Sequence, residues 1–170
     1  MSVTLTAYHG RFRGAPLVGG QDPVSPNTLT SVWASNSYYL AAQFQDGEVL
    51  KLEITLEKPL IIRCNGDSVH HAKIVQDAHE DVLAGSSDHD GVIFIDTIDG
   101  MECGDVVAVF GRQTEHGWSV DHAVRHVGTR YYDDHLDAWA SRGGFAEDVD
   151  SLPQSSSWEI EEEQGANLEP

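Results

Sequence analysis

Apolar side chains recur along this chain with two different periods, and the alternation between them outlines the expected elements. Val3, Leu5 and Ala7 alternate with threonines up to Tyr8, which predicts a strand over residues 3–8. Residues 14–28 are rich in Gly and Pro and read as a loop. Residues 30–34 predict a second short strand. Ser35 and Ser37 then stand where a helix over 38–45 needs a cap. After the Asp46-Gly47 turn, Val49, Leu50, Leu52, Ile54 and Leu56 predict a strand over 48–56, and Pro59–Arg63 predicts another. The period then lengthens: Ala72, Ile74, Val75, Ala78, Val82 and Leu83 are spaced by threes and fours, as on one face of a helix. Continuous apolar runs at 90–95 and 105–110 predict buried strands. Residues 118–142 read as helical in parts, ended by Gly143-Gly144.

This order implies an α+β fold on a split, mostly antiparallel β-sheet with few helices. Residues 1–115 form the core, 116–146 a helical or irregular extension, and 147–170 an acidic, disordered or loosely docked tail in which Trp158 stands almost alone among acids. No apolar run is long enough to predict a membrane span, and no secretory signal is visible, so a cytoplasmic location is expected.

Charge changes the picture of partners. The formal net charge is −18, and it is unevenly spread. Residues 1–63 balance five acidic against five basic side chains, whereas 64–100 carry eight against one and 131–170 eleven against one. Such a surface repels phosphate backbones, so nucleic acid is an unlikely partner and a basic protein face a suitable one. The two cysteines, Cys64 and Cys103, lack metal-ligand spacing and read as ordinary thiols.

Two segments carry the chemistry. Tyr8-His9-Gly10 closes the first strand, and Trp33-Ala34-Ser35-Asn36-Ser37-Tyr38-Tyr39-Leu40-Ala41-Ala42-Gln43-Phe44 sets two aromatics ten residues apart around a turn and helix. Together they resemble the NAD-binding half of ADP-ribosyltransferases of the diphtheria-toxin and poly(ADP-ribose) polymerase type, over roughly residues 3–112. In that family Tyr-His-Gly lies on the first strand and two tyrosines ten residues apart flank a strand-turn-helix. The resemblance implies NAD as co-substrate. His9 would hydrogen-bond a ribose hydroxyl, the Gly10 backbone would hold the carboxamide, and Trp33 and Phe44 would sandwich nicotinamide, with Tyr8 and Ser35 supporting the pocket. Trp and Phe in place of tyrosines keep the stacking and remove two hydroxyls.

Cleaving the nicotinamide–ribose bond builds positive charge on the sugar, so a carboxylate must stand close by. The family places a glutamate immediately before the last apolar strand. Here Asp105 holds that position, one methylene short, and Glu102 lies three residues earlier, where a bulge at Gly104 would bring it into reach. Both stay open. Arg11 and Arg13, cationic in an acidic chain, suit a pyrophosphate. The implied activity is mono-ADP-ribosylation of a protein acceptor, in the manner of a small bacterial or phage effector. Arginine is the less expected acceptor, because Cys103-Gly104-Asp105 lacks the paired acids of arginine-modifying families.

Two other readings compete. His122 and His126, four apart, with Asp133, Asp134 and His135, or the group His70, His71, His79, Asp88, His89 and Asp90, offer metal-ligand types for a hydrolase. The pair lacks the glutamate of the zinc-protease motif, and the second group has no recognisable ligand order. Alternatively, the fold carries no chemistry, and the acidic C-terminal part docks on a basic partner.

Overall fold

The structure, a computed structural model, describes residues 2–11, 16–18, 30–42, 48–131 and 157–160. Its elements in chain order are β1 (Val3–Arg11), β2 (Ser31–Ser35), α1 (Tyr38–Ala42), β3 (Glu48–Leu56), β4 (Pro59–Arg63), α2 (His71–Leu83), β5 (Gly91–Asp99), β6 (Glu102–Phe110), β7 (Arg112–Thr114), β8 (Gly117–Ser119) and β9 (Val124–Tyr131). Seven strands make one sheet in the order β4-β5-β6-β2-β1-β3-β9, and β7 and β8 form a separate hairpin. Every neighbouring pair is antiparallel except β4–β5, which is parallel and is joined through α2. The fold is α+β, mostly sheet, with two short-to-medium helices among the described residues. None of these helices is long and apolar enough to cross a membrane.

Strand alternation decides where the cores lie. β1 pairs with β3 in an unbroken register from Val3↔Leu56 to Arg11↔Glu48, which sets Val3, Leu5, Ala7 and His9 beside Leu56, Ile54, Leu52 and Leu50 on one face. That face meets Val32, Ala34, Ile93, Val107 and Val109 from the other half of the sheet in the larger core. The alternate residues of β5 and β6, Val92, Phe94, Val106, Ala108 and Phe110, meet Val75 and Ala78 of α2 in a second core. β5 and β6 are thus buried on both faces, which is why they read as continuous apolar runs. A third, smaller cluster joins Tyr8 and Val49 to Tyr38 and Ala41 of α1.

The helix expected within 118–142 is corrected over its described part. Residues 117–119 and 124–131 are strands, and β9 extends the sheet by pairing with β3. The apolar trio Val120, Ala123 and Val124 has helical spacing because it forms a single turn, with the Ala123 and Val124 amides both donating to Val120 O at 2.9 Å. That turn presses the three side chains onto the larger core, and edge pairing with β3 then outweighs helix formation. His122 and His126 therefore do not share a helix face. Residues 132–142 lie outside the described residues, with Asp133, Asp134 and His135 among them.

β5 and β6 run further than their apolar cores, meeting in a hairpin at Gly100 (φ 65°). At the other end of β5, a Cβ on Gly91 would lie 2.6 Å from Ala108 O, a backbone atom of the central sheet. We expect Gly91→Ala to cost about 1–3 kcal/mol, read as a lower urea midpoint.

Candidate functional site

β1 and β2 are bridged at one residue pair, Tyr8↔Ser35. Beyond it β1 belongs to β3 and β2 to β6, so the sheet parts on either side of this bridge. The candidate residues gather around the seam.

On one side stands His9, with 3% of its surface exposed. Its Nδ1 reaches across the opening to Trp33 O. A carbonyl oxygen only accepts, so Nδ1 carries the proton and Nε2 is the acceptor nitrogen of a neutral ring. Burial disfavours the imidazolium and takes the pKa from 6.5 down to about 4, with Arg11 adding to the fall and the Trp33 bond opposing it. Gly10 follows, and Arg11 donates from Nε to Glu48 Oε1 at 2.7 Å, an ion pair whose carboxylate is buried. Tyr8 points to the opposite face, its ring edge-on to Tyr38 with centroids 5.9 Å apart. Trp33 is half-buried against the α2 core, so its carbonyl, more than its indole, joins it to His9. Phe44 and Arg13 lie outside the described residues.

On the other side is Asp105, 1% exposed. Its Oδ1 accepts from the Asp96 amide at 2.8 Å and its Oδ2 from the Trp158 amide at 2.7 Å, with Asn36 Nδ2 at 3.4 Å. Its own amide donates to Asn36 Oδ1 at 2.8 Å, and its carbonyl accepts from the Asn36 amide and from Ser35 Oγ. Ser35 Oγ also accepts from the Ser37 amide, while Ser37 Oγ caps α1 by accepting from the Leu40 amide at 3.2 Å. Ser35 is thus tied into the main chain at the bridge. Gly104 makes this approach possible, since a Cβ there would sit 2.8 Å from Asn36 Oδ1.

The expected bulge at Gly104 lies instead on the facing strand. The register slips between Phe94 and Thr97, where Asp96 adopts φ 53° and turns its amide onto Asp105. Glu102 is exposed and pairs with Asp99 at the far end of the hairpin. The structure brings Tyr8, His9, Trp33, Ser35 and Asp105 to the seam, and it leaves Glu102 at the hairpin end.

Three participants escape a reading of the sequence alone. Asn36 resembles any polar residue after a strand, and Asp96 sits inside an apolar run. Trp158 offered one signal, a single large aromatic in an acidic stretch. Its indole donates to Thr6 O at 3.0 Å, its ring packs on the larger core, and Arg63 donates to Ile160 O at 3.3 Å just beyond.

The histidines of the rival reading have structural partners. His71 Nε2 donates to Thr97 Oγ1 at 2.8 Å, since the threonine proton goes to Asp67 O, and Nδ1 lies 3.9 Å from Asp99. Burial lowers the His71 pKa and raises that of Asp99. His79 stacks on Phe110 at 4.6 Å, and burial lowers its pKa too. Among the described residues no three His, Cys, Asp or Glu side chains stand close enough to hold a metal ion.

Compared with protein-family models, with curated protein sequences and with solved structures, the chain finds no match.

Two outcomes follow from this geometry. Between pH 6.5 and 4 the unfolded chain binds a proton at His9 that the folded chain resists. The stability due to neutral His9 is therefore full above pH 6.5 and lost as pH falls towards 4, up to about 3 kcal/mol. Thermal midpoints measured across that window should fall less for His9→Gln than for the wild type. Asp105→Asn turns an amide NH2 towards one of two amide donors and should cost about 1.5–3 kcal/mol, with a red-shifted tryptophan emission as Trp158 leaves its seat.

Proposed function

We propose that this protein is a mono-ADP-ribosyltransferase, using NAD as co-substrate and a protein side chain as acceptor. The observation that carries the reading is the seam itself. Tyr8-His9-Gly10 lies where β1 and β2 part, and the His9 ring spans the opening to Trp33. His9 and Trp33, two of the residues on which the resemblance rests, are thereby joined from positions two dozen apart in sequence. They also fit the group in kind. A neutral imidazole with Nε2 as acceptor suits a ribose hydroxyl, and Gly10 lets the main chain approach a carboxamide closely. When bound, NAD supplies a ribose carbon that becomes electrophilic as nicotinamide leaves.

The chain's own residues then have separable tasks. His9 orients, held by its bond to Trp33 and kept neutral by burial. Asp105 acts as a fixed negative charge, its two oxygens held by main-chain amides at 2.7 and 2.8 Å. Arg11 lies next to the opening in its pair with Glu48. The overall −18 charge favours acceptors that present a basic surface.

A second reading is favoured by one observation. Because amides already occupy both Asp105 oxygens, the seam is also suited to bind without turnover, as a non-catalytic module on the same frame.

The test is nicotinamide release from NAD by the purified chain, with and without a cell lysate. Release with ADP-ribose appearing on a lysate protein is expected, and His9→Ala should lower it on the order of 10²-fold through lost orientation. An NAD-induced rise in melting temperature without release would favour the binding module. The absence of both release and a rise would overturn both readings.

A further inference from the structure

Ser157, Trp158 and Glu159 of the C-terminal segment border, with β1, a half-open cavity of about 270 Å³. Thr6 and Tyr8 of β1 and Asn36 form one side, and Ser157, Trp158 and Glu159 form the other. This wall is anchored. The Trp158 amide is held by Asp105 and its indole by Thr6 O, and the Ile160 carbonyl is held by Arg63. Glu159 stands between two fixed residues and carries the only formal charge among the described lining residues.

Size and charge select the occupant. Small-molecule sites usually enclose about 300–1,000 Å³, and this half-open space, just below that range, suits one long side chain. A lone carboxylate in the wall repels phosphate and attracts a cation. Thr6 and Ser157, exposed residues of the lining, add hydroxyls of the kind that accept from a group rich in N–H donors. A guanidinium meets these terms better than an ammonium, since it is planar, weakly hydrated, pairs a carboxylate through a two-pronged contact and stacks on aromatic rings.

We propose that this cavity is a recognition subsite for an arginine side chain on a protein partner, with Glu159 as its counter-charge and Trp158 as its wall. The inference rests on the transferase reading for what the partner is, the acceptor protein, and not for the existence of the site. The guanidinium anchors the partner, and the residue that receives ADP-ribose is a separate matter. The net charge of −18 adds long-range attraction for a basic surface.

N-butylguanidine, a guanidinium on a short aliphatic stem with no second charge, is the probe, titrated into the full chain by ligand-observed NMR with butylamine, of equal charge, in parallel. Butylguanidine should bind, on the order of millimolar, and butylamine several-fold more weakly. Glu159→Gln should weaken butylguanidine about tenfold while the melting temperature and tryptophan emission stay as in the wild type. Equal butylguanidine binding by wild type and Glu159→Gln, no binding by the wild type, or a preference for butylamine would each overturn the proposal. Nicotinamide release from the same samples separates the two readings. Butylguanidine binding without NAD turnover sinks the transferase and keeps the cation site, and turnover without butylguanidine binding does the reverse.

Discussion

Three separate stretches of chain converge on the carboxyl and main-chain groups of Asp105. The bulge of β5 supplies one amide, the C-terminal segment a second, and the loop after β2 a side-chain amide and a main-chain N–H, while β6 carries the aspartate. A buried carboxylate is costly unless hydrogen bonds replace its water, and here main-chain donors do so from both directions. The bulge, the Gly104 contact with Asn36 and the position of Trp158 all answer to that one requirement. Because the two shortest bonds to the carboxyl come from backbone amides, its geometry is set by chain paths more than by flexible side chains.

The sheet can be split because each half has its own apolar support. β1, β3 and β9 are held by a long register and the larger core, whereas β4, β5, β6 and β2 are held by α2 as well. With both halves secured, the β1–β2 seam needs one bridge to stay in register. Polar residues can then occupy positions that a continuous sheet would fill with ladder hydrogen bonds. His9 is the clearest instance, a neutral ring bonded to a strand carbonyl.

Much of this was legible in advance where local pattern and tertiary demand agree. β3, β4 and α2 have the bounds their periodicity implies, since alternation in β3 and a three-four spacing in α2 match the faces they bury. β9 was not legible, because a turn of helix-like spacing precedes it and its pairing with β3 is set seventy residues away in sequence. Around the seam, Tyr8-His9-Gly10 and Trp33 stood out as a motif, and Asp105 as an acid before a strand. The commitment of Asp105 to Asp96 and Trp158 was hidden, because each partner contributes a main-chain N–H, a group every residue but proline shares.

The docking of Trp158 has a consequence for how the molecule comes into being. A chain grows from its N-terminus, and domains generally begin to fold as they are made. β1, β2 and β6 can assemble once Phe110 has emerged, yet the amide that completes the Asp105 cradle lies 53 residues beyond the aspartate. Until Trp158 is added, water must serve in its place, and the nascent sheet carries an open, hydrated seam. The order of synthesis brings the Trp158 amide after the strands it joins, so the Asp105 cradle is completed late.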